Sequence, residues 1–169
     1  DCSDHEVNIK ILLDSLVERG ELTGGERDEQ IAATTEDVAA LVLADNVSQN
    51  EVLGVSRAHA VGMLHVHRDL VADLEARGRL DRELDVLPDE EGFEARWVAD
   101  EGLTSPELCT LLAHVKLDLT DALTASELPD LEVFARRLPA YFPAVLAERY
   151  PDAVAAHPLR RQIVTTMLD

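Results

Sequence analysis

Basic residues are scarce in this chain: 15 Lys and Arg stand against 34 Asp and Glu in 169 residues, a formal net charge of −19. That balance argues against nucleic acid as a partner, because binding a phosphate backbone requires lysines and arginines to neutralise it. An anionic membrane surface is disfavoured for the same reason. Glycine and proline number 8 and 7, about 9% of the chain and below the usual ~12%, and aromatics are 4%. Such a composition favours helices packed through Leu, Val and Ala. Cysteine occurs twice, at positions 2 and 109, too few for a disulfide framework in a chain of this length, and no secretory leader is recognisable. The longest uncharged apolar run, Val38 to Ala44, is far short of the ~20 residues a bilayer-spanning helix needs. These absences make a cytoplasmic protein the expectation.

What is present suffices for a core: 46% of residues are hydrophobic and the length suits one domain. The chain opens at Asp1 and enters a helical pattern at once, as a piece of something longer would. Ser3 followed by Glu6 forms a capping-box pair that predicts a helix from Asp4. Ile9, Leu12, Leu13, Leu16 and Val17 then recur on one face, and Gly20 stands where a left-handed cap is expected. Gly24 and Gly25 predict a turn before a short helix from about Glu26 to Ala33. Thr35 is placed to cap a third helix carrying Val38, Leu41 and Val42, with Gly54 ending or bending it. A further helix from about Ser56 to Arg77 sets Met63, His67, Leu70 and Leu74 together and stops at Gly78.

Beyond Leu80, Leu84, Leu87 and Pro88, the acids Asp89, Glu90 and Glu91 suit the positive end of a helix reaching about Ala99. Thr104, Pro106 and Glu107 make the clearest helix start in the chain, followed by the stripe Leu108, Leu111, Leu112, Val115, Leu119 and Ala122. Prolines 129, 139, 143, 151 and 158 divide the last third into short helices. No run reads as a strand. The expectation is an all-α array or bundle of about seven to nine helices with no sheet.

Few residues invite a chemical reading. The eight glycines, at 20, 24, 25, 54, 62, 78, 92 and 102, allow neither a dinucleotide-binding fingerprint nor a phosphate-cradling loop. His65 and His67 are two apart, so on a helix they point to nearly opposite faces and cannot share an ion; no metal site is expected. His67 reads as a packed core residue and His65 as a solvated one. Cys2 with His5 as nucleophile and base lacks a pocket, and Asp89 to Glu91 read as a solvated helix start rather than a carboxylate pair. Ser3 has two readings. It caps its own helix, or it stands at a helix N-terminus where N–H groups and the dipole favour a bound carboxylate.

The segment from Asp1 to Leu13, DCSDHEVNIKILL, resembles the large-subunit NAD-specific glutamate dehydrogenases of bacteria. The resemblance continues through RGRLDRELDVLP (residues 77–88), GLTSPEL (102–108) with Leu111, Leu112 and Lys116, ASELP (125–129), YFP (141–143) and HPLRR (157–161). It implies a parent enzyme that oxidatively deaminates L-glutamate to 2-oxoglutarate and ammonia with NAD as hydride acceptor. It also implies that residues 1–20 are the tail of the catalytic domain and residues 21–169 a helical C-terminal domain. Cys2, Ser3 and Glu6 are compatible with the end of a motif in the wider glutamate dehydrogenase family, which makes Ser3 the expected contact for the substrate's side-chain carboxylate. Asp4 and His5 replace the aromatic pair common in the small enzymes. The family's catalytic lysine and aspartate and its glycine-rich cofactor turn have no counterpart here, so no catalytic or NAD-binding residue is expected in the chain. The expected partners are the upstream catalytic domain and further copies of the parent. Two roles for the helical region follow: a structural or oligomerisation module, or a regulatory domain binding an amino-acid or other anionic effector, for which Arg136 with Arg137 and Arg160 with Arg161 are the densest basic pairs. A dehydrogenase acting on its own is the third reading, disfavoured by the missing glycine turn.

Overall fold

The computed structural model describes the backbone from Cys2 to Asp169 and the side chains from Asp4 onward. Among the described residues there is no strand, and the all-α expectation holds. Ten helices follow in order: α1 (Cys2–Glu18), α2 (Gly24–Ala33), α3 (Thr35–Ala58), α4 (Leu64–Ala76), α5 (Glu90–Ala99), α6 (Ser105–Ala125), α7 (Glu132–Ala135), α8 (Ala144–Arg149), α9 (Pro151–Ala155) and α10 (Arg160–Leu168). Two 3₁₀ turns, Leu128–Asp130 and Leu138–Tyr141, lie among the short ones. The chain divides into two compact units, residues up to 46 with those from 122 on, and residues 47–121.

In the first unit the stripe on α1 forms the centre of the core. Ile9, Leu12, Leu13 and Leu16 are buried with Leu138, Tyr141, Phe142, Leu146, Val154, Ile163 and Val164. Gly20 takes φ +73°, the left-handed conformation that ends α1 as expected. Helix α1 itself begins at Cys2, two residues earlier than predicted. Gly24 and Gly25 do not form a turn: they are the first residues of α2, because Thr23 and Glu26 form a complete capping box upstream of them. Thr35 does not cap α3 either. Its hydroxyl donates to the Ala32 carbonyl at 3.1 Å, so it bonds back onto α2. The prolines mark the starts of the short C-terminal elements, with Pro151 in the first turn of α9.

In the second unit, Leu64, Val71, Leu74, Leu80, Leu87, Phe93, Leu103, Leu108 and Leu111 make the core. Gly54 neither ends nor bends the secondary structure: α3 runs through it to Ala58, and the break falls at 59–63 instead. The predicted Ser56–Arg77 helix is therefore the end of α3, a turn, and α4, which leaves Met63 exposed while His67 and Leu74 are buried. A glycine explains the turn's position. A Cβ on Gly102 would lie 2.4 Å from the Ala60 carbonyl carbon and 2.5 Å from its Cβ, so only glycine lets the segment before α6 pass the 59–63 turn. The acidic run expected at the start of α5 is there, and Asp89 caps the helix by accepting from the Gly92 N–H at 2.8 Å. Glu107 accepts from the Thr104 N–H at 2.7 Å and holds both terminal nitrogens of Arg96 at 2.7 and 2.6 Å. Burial pushes the Glu107 carboxyl up, but Arg96 and Thr104 outweigh it and leave its pKa below the ordinary value.

Candidate functional site

The residue singled out for substrate, Ser3, is the second residue of α1, and its side chain lies outside the described residues, as does that of Cys2. Glu6, its expected capping partner, pairs with Lys10 one turn on. What the structure does describe is the set of side chains that hold this end of α1. His5 is buried, and it lies on the same stripe as Ile9, Leu12 and Leu16. Its Nδ1 donates to the Tyr141 carbonyl at 3.0 Å, and its Nε2 lies 3.1 Å from an Asp45 carboxylate oxygen on α3. Both neighbours are acceptors, so both contacts are hydrogen bonds when the ring carries two N–H groups. The ring also stacks on Tyr141, with centroids 4.4 Å apart.

Asn8 adds a second connection. Its amide nitrogen donates to the Asp4 carbonyl at 3.0 Å and to the Tyr141 hydroxyl at 2.9 Å. A carbonyl only accepts, which fixes the amide's orientation. Burial raises the Tyr141 hydroxyl's pKa above its ordinary value, against the Asn8 hydrogen bond and with Asp4 and Asp45 adding to the rise, so the phenol stays neutral. The Asn8 carbonyl is held in turn by His157, whose Nε2 lies 3.0 Å away while its Nδ1 accepts from the Leu159 N–H at 3.0 Å. The two contacts specify one neutral tautomer, with the proton on Nε2. Burial lowers the His157 pKa, which favours that form.

The other sequence candidates are not brought to this place. His65 is exposed and His67 buried, as expected of a solvated and a packed residue; burial, then the neighbouring His65, lowers the His67 pKa. Among the described residues no three His, Cys, Asp or Glu side chains are grouped to hold a metal ion. Both ring nitrogens of His5 have neighbours within hydrogen-bond distance, and the Cys2 side chain lies outside the described residues. Of the basic pairs, Arg161 is occupied structurally: it donates to the Thr124 carbonyl at 2.8 Å, to the Ser126 carbonyl, and to Asp130 at 2.9 Å. Arg136 pairs with Glu132, while Arg137 and Arg160 are exposed. An open hollow in the second unit is lined by Glu75, Asp81, Glu83, Asp89, Glu90 and Glu91 around Arg82, and Arg82 already pairs with Glu75 and Glu90. It is unsuited to an anionic substrate.

A nicotinamide dinucleotide does not fit the described residues. A pyrophosphate needs a glycine-rich turn opening onto a helix N-terminus, and the glycine-led helix among them, α2, already engages its first turn in the Thr23–Glu26 capping box. Tyr141, Asp45, Asn8 and His157 were not singled out as site residues by sequence reasoning. A histidine at a buried position of the α1 stripe is a local signal for His5; Asn8, Tyr141 and His157 lie in segments that carry the family resemblance, which marks them without pairing them, and no signal marks Asp45.

Family comparisons decide what this helix end belongs to. The family model described as the bacterial NAD-glutamate dehydrogenase catalytic domain matches residues 1–56, and that described as the glutamate dehydrogenase C-terminal region matches residues 100–169. Over 168 residues, 99% of the chain, it is 54% identical to the NAD-specific glutamate dehydrogenase of Mycobacterium tuberculosis and 42% identical to that of Pseudomonas aeruginosa. The Halomonas elongata enzyme of the same name is 41% identical over 167 residues. The chain belongs to the bacterial NAD-specific glutamate dehydrogenase family. It spans about a tenth of the length of these relatives. The catalytic-domain match ends at residue 56, inside α3, so it takes in the whole first helix and Asp45. No helix among the described residues is long and apolar enough to cross a membrane.

Proposed function

We propose that this chain is the end of the catalytic domain and the helical C-terminal region of a longer cytoplasmic enzyme that converts L-glutamate, NAD and water to 2-oxoglutarate, ammonium, NADH and a proton. In this reading the upstream catalytic domain supplies the NAD site and the catalytic groups. Ser3, at the start of α1, contacts the substrate's side-chain carboxylate, aided by the unpaired N–H groups of the first turn. The rest is a helical structural and oligomerisation module with no active site of its own. The observation that carries the proposal is the 54% identity to an NAD-specific glutamate dehydrogenase along 99% of the chain. The exposed apolar side chains of α3 support the module role. Along its 24 residues α3 has none buried, and Leu43, Val47, Val52 and Val55 are about half exposed or more, as a helix covered by other parts of an assembly would be.

The test is NADH formation from glutamate and NAD by the longer protein, beside the same protein ended after residue 56, where the catalytic-domain match stops, with assembly followed by light scattering. The expected result is turnover by the whole protein and loss of assembly and activity together on truncation. Absence of glutamate turnover in the whole protein overturns the activity. Unchanged assembly and activity after truncation overturn the module role, and retained activity with a lost response to amino acids replaces it with regulation.

A further inference from the structure

The apolar packing of α1 begins at Ile9. Ahead of it, among residues 4–8, Asp4, Glu6 and Val7 are exposed, Asn8 is partly buried, and His5 is the one buried side chain. The hydrophobic core therefore fixes the later turns of the helix and leaves its first described residues to be oriented by polar contacts. Those contacts converge from distant parts of the chain. Asn8 links the Asp4 carbonyl to the Tyr141 hydroxyl, His5 spans the Tyr141 carbonyl and the Asp45 carboxylate, and His157 holds the Asn8 carbonyl.

We propose that Tyr141, Asp45 and His157, acting on His5 and Asn8, are positioning residues that set the direction of the first turn of α1 and thereby the affinity for the substrate's side-chain carboxylate. The inference rests on the reading of Ser3 given above. A lever argument sets its size. Ser3 precedes Asn8 by five residues, about 7.5 Å of helix, so a tilt of about 8° at Asn8 moves the first turn by about 1 Å. A misplacement of that order is costly, about 100-fold at the extreme, where donors must meet a bound group at hydrogen-bond distance. The C-terminal part of this sequence thus acts on glutamate without touching it.

The experiment compares variants in the longer protein, each measured for KM of glutamate, KM of NAD, kcat and melting temperature. Tyr141→Phe removes one hydroxyl and keeps the ring that stacks on His5. Asp45→Ala removes a carboxylate that is half exposed, and Asp45→Asn keeps an acceptor in the same place. Tyr141→Phe and Asp45→Ala are expected to raise the glutamate KM about tenfold, leaving the NAD KM within about twofold, and Asp45→Asn is expected to recover most of the loss. Combined with Ser3→Ala, either should add less than its separate effect, because both act on one contact. If Ser3→Ala raises the glutamate KM while the clamp variants do not, positioning is overturned and the Ser3 reading stands. If Ser3→Ala leaves the glutamate KM unchanged, the Ser3 reading falls, and the inference with it. A clamp variant that lowers the melting temperature and raises both KM values alike shows a merely structural role and also overturns the inference.

Discussion

The two compact units hold themselves together by different means. In residues 1–46 with 122–169, the polar groups inside the core are His5, Thr34, His157 and Thr165, and the two histidines bond to backbone carbonyls. In residues 47–121, His67 is the buried polar residue, and ion pairs at or near the surface link the elements: Arg77 with Asp73 and Asp118, Arg79 with Asp121, Arg82 with Glu75 and Glu90, Arg96 with Glu107. A buried histidine bonded to a carbonyl fixes one atom against another in low dielectric, whereas an exposed ion pair contributes little and tolerates movement. Exposed pairs link elements of the first unit too, Arg27 with Asp14 and Arg161 with Asp130, so what sets the unit that contains α1 apart is the pair of buried histidines held on backbone carbonyls. The second unit has one rigid point of its own, where Gly102 passes Ala60.

Intrinsic chromophores separate the two units, since Tyr141 and Tyr150 belong to the first and the single tryptophan, Trp97, to the second. The largest effect is expected from Leu12→Ala, which opens a cavity at the centre of the first core. It should cost about 3 kcal/mol and lower the tyrosine-detected transition in urea, leaving the tryptophan-detected one in place if the units unfold separately. Coincident shifts of both transitions would show one cooperative unit. Next comes Gly102→Ala. Its Cβ has nowhere to go but into Ala60, so a loss of about 2 kcal/mol is expected, read first by Trp97.

The smallest effect concerns pH. His157 and His67 have folded pKa values below the usual histidine value, so between that value and the lowered one the unfolded chain takes up protons that the folded chain does not. Stability is therefore unaffected by these groups above about pH 6.5 and falls as pH drops below it, by at most about one proton's worth of slope for each. Replacing His157 by Gln should flatten that slope for the tyrosine signal, and His67→Gln for the tryptophan signal. The depressed carboxyls of Asp85 and Glu107 act in a lower window: their contribution is present above the ordinary carboxylate pKa and lost as pH falls through their lowered ones.

Much of the helical skeleton was legible locally. The stripe of α1, Gly20, the acidic start of α5 and the Thr104 to Glu107 start all appear in the structure where spacing, dipole and capping rules put them. The errors cluster where one local signal competed with another. Gly24 and Gly25 read as a turn, although Thr23 and Glu26 carried the stronger capping signal. Gly54 read as a stop, although a glycine inside a helix costs only about 1 kcal/mol against alanine, and α3 runs through it. The real break at 59–63 holds Gly62, a signal passed over in favour of Gly54, and the close approach of Gly102 to Ala60 comes 42 positions later in the chain.

By itself the sequence determined an acidic all-helical protein, the buried face of α1, and through its motifs the family to which it belongs; of the stripes read on α3 and α6, none of the first and only Leu108 and Leu111 of the second are buried. Helix periodicity and capping act over three or four residues, so they can be read along the chain. Only the tertiary structure decided that Asp45, Tyr141 and His157 meet at His5 and Asn8, across separations of 40, 136 and 149 residues. Hydrogen bonds between such distant residues leave no periodic trace, because packing of the whole core is what brings donor and acceptor into hydrogen-bond reach.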